Sequence, residues 1–496
     1  MVDLKPALDG YSGIPSECRL LFHGLMKLKK GHEVVGLLQH ASHSLNGDFS
    51  EKFKSKNQSG KILSGAQSVT SFCQPSVRPE GFSFFEKCVL YYRLQMLRLN
   101  ALLDRSIKLG AFDSEQFSDF IWRKMFSKSL SREAKDLVTS ASYKIIKPSR
   151  GLLHYCGLPN FVPGLKAKYV KLDTEGYDVL IAQTPYPGQV TDQTKLVIRY
   201  HDAVPLLMPH TINSKEFHLS SHYHALKNNV EAGAHFVCNS EATQNDLLKL
   251  FPEVKSRTKV IYNIVSDDFY KCNESKDRVD QIIQRRLNTE LIEENRAEAL
   301  SLAQKNIDDY LLMVSTLEPR KNHALLVSAW ERLRATQNEN LKLILVGNWG
   351  WGCQEIKALL KPWILKGEIY HLSGVEPSEL RVLYQYASVT ICPSLFEGFD
   401  YSGVEAMRCG GVVAASDIEV HKEVYKNAAI YFDPYCAESA SINIAKCLDK
   451  EDEALRNELL NEGEKVSEAY CYDAVLPHWE SFLDNVIGKN DSDVSL

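Results

Sequence analysis

The chain has 496 residues, of which 44% are hydrophobic and 24% charged, and its formal net charge is −5. This length exceeds what a single hydrophobic core usually supports, so we expect at least two domains. The composition excludes a disordered or fibrous protein, and the small negative charge gives no general attraction to nucleic acid. The sequence has no apolar run long enough to cross a bilayer and no secretory signal at its N-terminus.

The 12 cysteines are scattered along the chain without CxxC spacing. In a chain of this length, the pattern favours buried free thiols in a reducing compartment over disulfides or zinc ligands. We therefore expect a cytoplasmic protein, and peripheral contact with the inner face of the cell membrane is compatible with that location.

The N-terminal half shows strands and helices in alternation. A helix is predicted to begin at Pro15, directly after a glycine-containing turn. Ser240 is the predicted N-cap of another helix, which follows the third of three buried strands. These strands are Val179–Ala182, Leu196–Ile198 and Phe236–Cys238. The alternation predicts a doubly wound domain with a parallel sheet.

Residues 45–165 interrupt this alternation, and Phe82–Lys147 reads as mostly helical. Glu86 to Arg150 contains 13 Lys+Arg against 7 Asp+Glu, a basic stretch inside an acidic chain. A solvated helical insertion is the simpler interpretation. The alternative is a basic surface that touches anionic lipid or a lipid-linked acceptor. Its aromatic residues would be Tyr91, Tyr92, Trp122 and Phe126.

The C-terminal half alternates more clearly between buried strands and helices. The predicted strands are Leu311–Val314, Leu341–Val346, Ile369–Ser373, Val389–Cys392 and Val412–Ala415. The predicted helices are His323–Arg334, Glu376–Ala387 and Val404–Arg408, with a charged linker helix at Asp277–Lys305. This pattern predicts a second doubly wound sheet, whose ligands would bind at the carboxyl ends of the strands.

The segment Pro393–Gly411, PSLFEGFDYSGVEAMRCGG, carries the strongest chemical signal. It follows a predicted strand and leads into a helix that should start near Gly403. The free N–H groups and partial positive charge of a helix N-terminus suit phosphate or sugar hydroxyls. Glu397 on the loop and Glu405 in the first helical turn supply two carboxylates that can accept hydrogen bonds from hydroxyl pairs. Each glutamate alone is compatible with an ordinary loop or helix residue.

This segment resembles the signature of glycosyltransferase family 4, in the GT-B fold group, where two glutamates are separated by seven residues. The matching residues are Glu397, Gly398, Phe399, Glu405, Ala406, Met407 and Gly410. The resemblance implies that Glu405 binds the ribose hydroxyls and Glu397 the donor sugar. It also makes Asp400, Tyr401 and Ser402 candidates for donor binding. Asp400 and Ser402 stand where the family more often has Gly and Pro, which leaves the identity of the donor open.

A second motif is Val314–Leu326, VSTLEPRKNHALL. Arg320 and Lys321 are adjacent cations after a predicted strand, and such cations suit a diphosphate leaving group. A solvated turn is the alternative for each of them. In the family, an Arg and a Lys of this loop grip the diphosphate. Here Lys321 matches, Thr316 occupies the usual Arg position, and Arg320 takes over that role, as in the EPRKN variant of the family.

Two further segments resemble the nucleotide-binding part of the family. Gly347 and Asn348 lie in Leu345–Trp351, LVGNWGW, and the resemblance implies a place beside the nucleotide base. Val375 lies in a segment whose backbone would contact the edge of the base. An ordinary turn between a strand and a helix is the alternative interpretation.

The N-terminal half supplies two more candidates. His201 opens the segment HDAVP after a predicted strand, and it resembles the HD-x-x-P segment of the family. The resemblance implies a hydrogen bond to the donor sugar near the reacting centre, and a structural histidine is the alternative. Gly13 lies in a turn that resembles the first glycine-rich loop of the family, which approaches the donor phosphate and the acceptor.

The resemblance implies an α/β GT-B enzyme with two Rossmann-like domains and an interdomain cleft. Residues 1–262 would form the acceptor domain with its helical insertion, and residues 263–472 the nucleotide-sugar domain. Residues 473–488 would form a helix that crosses back to the first domain. The implied reaction is retaining transfer of a hexose, first of all mannose from GDP-mannose, to a glycan or lipid-linked acceptor of surface polysaccharide or lipopolysaccharide.

No DxD motif lies at a predicted strand end, so we expect no divalent metal and no cofactor besides the nucleotide sugar. Two alternatives remain open. The same scaffold could carry a phosphorylase or a UDP-sugar epimerase, or the chain could be a non-catalytic sugar-binding subunit.

Overall fold

Two sheets, one of eight strands and one of six, form the framework of the molecule. The computed structural model describes residues 1–10, 13–28, 31–40, 58–73, 84–158, 168–213, 215–291, 307–449 and 452–488. Each sheet carries helices between its strands, which confirms the predicted α/β class with two doubly wound domains.

The first ten strands belong to the N-terminal half. They are β1 Val2–Asp3, β2 Val35–Gln39, β3 Ser106–Ile107, β4 Gly110–Phe112, β5 Ser142–Ile146, β6 Lys171–Leu172, β7 Val179–Ala182, β8 Lys195–Tyr200, β9 His235–Cys238 and β10 Thr258–Val260. The eight-stranded sheet has the order β10-β9-β8-β7-β1-β2-β5-β4, and β3 pairs with β6 separately. All pairs in the larger sheet are parallel except β4 with β5.

Nine helices of the described residues accompany these strands. They are α1 Ile14–Lys27, α2 Gln58–Cys73, α3 Phe84–Leu102, α4 Ser118–Phe120, α5 Lys135–Thr139, α6 Arg150–Gly157, α7 Val204–Leu207, α8 Lys215–Glu231 and α9 Glu241–Leu250. A π-helical stretch, Ile121–Phe126, continues α4. The predicted N-cap is confirmed, because the Ser240 hydroxyl accepts a hydrogen bond from the Thr243 amide at 3.0 Å.

The prediction of a mostly helical insertion over residues 45–165 is wrong in part. Strand β5 pairs with β2 over its whole length and so belongs to the central sheet. Its Lys144 is only half-buried and breaks the apolar run that would have marked a strand. The predicted aromatic surface also needs correction, because Phe126 is fully buried and Trp122 half-buried, whereas Tyr91 and Tyr92 are exposed. Residues 41–57 lie outside the described residues.

The C-terminal sheet contains six parallel strands in the order β13-β12-β11-β14-β15-β16. They are β11 Tyr310–Val314, β12 Lys342–Val346, β13 Ile369–Leu372, β14 Val389–Cys392, β15 Val413–Ser416 and β16 Ala429–Phe432. The helices are α10 Arg278–Arg286, α11 His323–Thr336, α12 Gln354–Leu365, α13 Pro377–Tyr386, α14 Tyr401–Arg408, α15 Glu419–Tyr425, α16 Ala437–Leu448 and α17 Glu453–Glu468. Of the predicted linker helix, residues 292–305 lie outside the described residues.

Helix α14 starts two residues earlier than predicted, because Asp400 rather than a residue near Gly403 is its N-cap. Glu405 is therefore the fifth residue of the helix and lies in its second turn, not in its first.

The last helix, α18 Tyr472–Ile487, returns to the N-terminal domain. Its Leu476 and Trp479 share one hydrophobic core with Phe22 of α1. The two helices approach closely, since a Cβ on Gly24 would lie 2.8 Å from Leu476 Cδ2. Within the described residues, none of the helices combines the length and the apolar composition needed to cross a bilayer.

Candidate active site

A cavity of about 580 Å³ lies between the two domains, where strands of both sheets end. Its lining contains every residue predicted for the site: Gly13, His201, Arg320, Lys321, Gly347, Asn348, Val375, Glu397, Asp400, Tyr401, Ser402 and Glu405. Gly13 directly precedes α1, and the other residues follow the carboxyl ends of β8, β11, β12, β13 and β14, as expected for ligand sites of doubly wound sheets. Their individual roles remain predictions.

Two cations and a carboxylate form the centre of the cavity wall. Arg320 Nη1 donates to Glu397 Oε2 at 2.9 Å, and Lys321 Nζ pairs with Glu397 Oε1. Arg320 Nε also pairs with Glu318 Oε1 at 2.7 Å. Burial opposes ionisation of Glu397, but the two cations outweigh it and lower its pKa. Burial raises the pKa of Glu318, where the cations do not compensate fully.

The neighbouring Asn322 explains how the PRKN segment presents these cations. Asn322 ends the turn Pro319–Lys321 in the left-handed conformation, with φ 61°. Its Nδ2 donates to Pro434 O at 2.8 Å and to Pro393 O at 3.1 Å. These bonds tie the turn to two other loops of the sheet edge, so Asn322 positions Arg320 and Lys321.

Asp400 is held by several partners at once. Its Oδ1 accepts from Ser402 Oγ at 2.8 Å, and its Oδ2 lies 3.2 Å from His421 Nε2. Burial opposes ionisation of Asp400, yet Lys321 and His421 outweigh it and lower the pKa. The backbone of Asp400 has φ 60°, a region that glycine tolerates better. Asp400 stands where the family more often has glycine, and its backbone conformation is costly for a residue with a side chain. The hydrogen bonds of the Asp400 carboxylate compensate for this cost.

His421 is a buried residue of α15 that sequence reasoning missed. Its Nδ1 contacts Ser416 O at 3.0 Å, and its ring stacks on Tyr425 with centroids 5.1 Å apart. Tyr425 in turn donates to Asp400 O at 3.0 Å. Both side chains therefore support the same loop, and no local motif around them indicates this role.

Glu405 differs from Glu397 in its surroundings. It is half-buried, and Tyr384 Oη donates to its Oε2 at 2.9 Å. Burial raises the pKa of Glu405 to about 7; Tyr384 opposes this shift and Asp400 adds to it. Near neutral pH, both protonation states of Glu405 are therefore populated, and a ligand that hydrogen-bonds the carboxylate would favour the ionised state.

His201 contributes a neutral imidazole. Burial, followed by the nearby Arg199, lowers the pKa of His201 well below its ordinary value. Its Nε2 has no hydrogen-bond partner within the part of the chain that the structure describes, and the same holds for Asn239 Oδ1. Both residues line the cavity. Polar atoms of this kind can hydrogen-bond a ligand in the cavity.

Glycines allow close approaches at two points of the cavity. A Cβ on Gly398 would lie 1.8 Å from His201 O in the opposite domain. A Cβ on Gly347, which has φ 155°, would lie 1.9 Å from Ser315 O. Gly398 therefore lets the two domains meet, and Gly347 lets the loops after β11 and β12 meet.

A second missed residue, Glu423, joins the domains beside the cleft. Its carboxylate accepts from the backbone N–H groups of Glu241 at 2.6 Å and Ala242 at 3.0 Å. Helix α9 of the N-terminal domain is thus capped by a side chain of the C-terminal domain. A carboxylate at a helix N-terminus is favourable, so this contact stabilises the arrangement of the two domains.

Comparison with known proteins gives family matches in both halves. The model for glycosyl transferases group 1 matches residues 292–466, and the model for Glycosyltransferase Family 4 matches residues 127–269. O-antigen chain mannosyltransferase B of Escherichia coli is 32% identical over 174 residues, which are 34% of this chain and 46% of that protein. O-antigen chain mannosyltransferase RfbU of Salmonella typhimurium is 24% identical over 250 residues, 48% of this chain and 61% of that protein. The chain thus spans about half the length of these relatives.

Among solved structures, HepE of Anabaena, in complex with UDP and glucose, has a TM-score of 0.50 and 18% identity. The likeness covers 72% of this chain and 90% of that chain. At this identity it concerns the fold alone.

Proposed function

Because the chain belongs to the family 4 type of glycosyltransferases with the GT-B fold, we propose that it transfers a hexose from a nucleotide sugar to a glycan or lipid-linked acceptor, with retention of configuration. The observation that carries the proposal is the cluster of Arg320, Lys321 and Glu397 in the interdomain cavity. Cations suit the leaving diphosphate, and a carboxylate suits sugar hydroxyls.

The cluster suggests an exchange of partners when the donor binds. The single carboxylate of Glu397 pairs with both Arg320 and Lys321. The diphosphate would compete for both cations, and the released carboxylate of Glu397 would accept hydrogen bonds from hydroxyls of the donor sugar. The cations then stabilise the charge that grows on the diphosphate as the glycosidic bond breaks. We propose that they do so without a divalent metal.

The other cavity residues complete the binding scheme. Glu405 binds the ribose hydroxyls, and Gly347, Asn348 and Val375 line the part of the cavity beside them that takes the base. His201 Nε2 hydrogen-bonds a hydroxyl of the donor sugar, which its neutral state permits. The leaving diphosphate helps to deprotonate the acceptor hydroxyl on the same face of the sugar.

Mannose from GDP-mannose is the first donor to test, since both relatives described above are named O-antigen chain mannosyltransferases. The same names support an acceptor of surface polysaccharide synthesis. Asp400, Tyr401 and Ser402 lie between the two glutamates and would decide which sugar is accepted.

The test combines binding and transfer with the purified protein. A nucleoside diphosphate that binds only the folded state should stabilise it by about 2.7 kcal/mol at a hundredfold excess over Kd. Sugar transfer from the matching nucleotide sugar to a lipid-linked acceptor should persist in EDTA and be lost in Glu397→Gln. Glu438→Gln, at an exposed position of the same domain, is the matched control. Free sugar phosphate or an epimerised donor, formed without transfer, would refute the proposal.

A further inference from the structure

Helix α3 is apolar on two opposite faces. Its inner face carries the buried Leu97 and Ala101, which pack against Leu152, Leu153 and Cys156 in one small core. This packing is sufficient to hold the helix on the N-terminal domain. The outer face is therefore available for another purpose.

The outer apolar face consists of exposed apolar residues on one side of α3 and the turn after it; apart from the adjacent Phe84 and Phe85, they follow one another at intervals of three, four or seven residues. Its members are Phe84, Phe85, Tyr92, Met96, Leu99 and Leu103, with exposed fractions of 84%, 71%, 64%, 40%, 44% and 52%. Single exposed apolar residues are common on soluble proteins, but a continuous stripe of this length marks an interaction surface.

Basic residues accompany the outer apolar face, in α3 and directly after it. Residues 84–110 contain five Lys and Arg against two acidic residues. One of the acidic residues, Asp104, faces Lys168 Nζ at 3.9 Å and Lys171 Nζ at 3.4 Å. Lys87, Arg105 and Lys108 are exposed. An exposed apolar surface with cations near it is typical of segments that bind anionic membranes.

The position of α3 links this face to the acceptor half of the cleft. Helix α6, on which α3 packs, also contacts α8, where the rings of Tyr155 and Phe217 lie 5.0 Å apart. The next residue of α8, His218, lines the cavity on its N-terminal side. The outer apolar face is therefore connected through α6 and α8 to the N-terminal wall of the cavity.

We propose that the outer apolar face of α3 docks this protein onto an anionic lipid bilayer. Phe84, Phe85 and Leu99 enter the boundary between headgroups and acyl chains, and Lys87, Arg105 and Lys108 contact the anionic headgroups. The role of the contact in delivering a lipid-linked acceptor rests on the proposed function; the docking itself does not.

The experiment is co-sedimentation of the full chain with phosphatidylcholine vesicles, with and without phosphatidylglycerol. We expect binding only to the anionic vesicles, weakened by salt and abolished in the triple variant Phe85→Ser, Tyr92→Ser, Leu99→Ser. The variant Lys87→Ser, Arg105→Ser should bind roughly thirty-fold more weakly, because each cation near an anionic surface contributes about 1 kcal/mol. The matched control is Tyr435→Ser, Ile442→Ser, which changes exposed apolar residues of the other domain.

Thermal unfolding and the stabilisation by nucleotide, measured on each variant, separate this proposal from the proposed function. We expect the triple variant to remain folded and to bind nucleotide as the wild type does. Unchanged vesicle binding by a folded triple variant would overturn the docking proposal. So would a wild-type dimer that the triple variant converts to monomer, since a second copy would then cover the face.

Discussion

Replacing Glu397 with glutamine removes one negative charge from between two buried cations and preserves the size of the side chain. The side chains of Glu397, Lys321 and Arg320 are only 7%, 12% and 17% exposed, so solvent screens their interactions weakly. Breaking a buried pair costs about 3–5 kcal/mol of stability. Because Glu318 still pairs with Arg320, we expect Glu397→Gln to lower the free energy of unfolding by the lower end of this range.

The same substitution should have opposite effects on two ligands. A free nucleoside diphosphate no longer has to displace Glu397 from the cations. A hydrogen bond between charged partners contributes about 1.5–3 kcal/mol, so Glu397→Gln should bind the diphosphate roughly ten- to hundred-fold more tightly. Sugar transfer should fall roughly ten- to hundred-fold, because the hydroxyls lose the charged acceptor.

Isothermal titration with nucleoside diphosphates and a transfer assay on the same preparation measure both effects. Glu438→Gln should leave both quantities unchanged, since this residue is an exposed partner of Arg332. Weaker or unchanged binding of the free diphosphate by a folded Glu397→Gln would refute the exchange of partners, even if transfer were lost.

Three other substitutions test neighbouring parts of the site. Glu405 has a pKa of about 7, so its ionised fraction rises with pH and the affinity for a nucleoside diphosphate should increase from pH 6 to pH 8. In titrations over this range, Glu405→Gln should lack the increase in affinity that is due to ionisation of Glu405. Gly398→Ala places a Cβ against His201 O and should open the cleft. Small-angle scattering would detect the opening as a larger radius of gyration. The control Gly151→Ala, with no atom within 4 Å of its Cβ, should behave as wild type. Asp400→Gly should change the ratio of kcat/KM between donor sugars. Stability should change little, because the loss of the hydrogen bonds of Asp400 offsets the relief of its backbone strain. An unchanged ratio across a panel of nucleotide sugars would exclude Asp400 from donor selection.

The strands that the sequence predicted well are short apolar runs between turn residues. Val179–Ala182 and Val389–Cys392 coincide with β7 and β14. A short run of buried residues between turns is typical of a strand in a parallel sheet that is covered on both faces. Strand β5 escaped prediction because Lys144 and Ser142 interrupt its apolar residues, although it pairs along its whole length in the sheet. A mixed strand of this kind, parallel to β2 and antiparallel to β4, is defined by its neighbours rather than by its own pattern.

The site residues likewise fall into those that a local motif predicts and those that only the packing reveals. Glu397, Arg320 and Lys321 were predictable because each belongs to a short motif at the end of a strand. His421 and Glu423 act through partners 21 and 182 residues away, and neither lies in a motif. Only the packing of α15 against the loop of Asp400 and against α9 brings them to the cleft.

Helix α15 therefore connects two properties of the site that the sequence presents as unrelated. Through His421 it holds Asp400, one of the two residues that depart from the family pattern between the two glutamates. Through Glu423, two residues later, it caps α9 of the N-terminal domain. Opening of the cleft would separate Glu423 from α9, whereas His421 and Asp400 belong to the same domain and would stay in contact. One short helix therefore carries a contact that supports the loop of Asp400 and a second contact that joins the two domains.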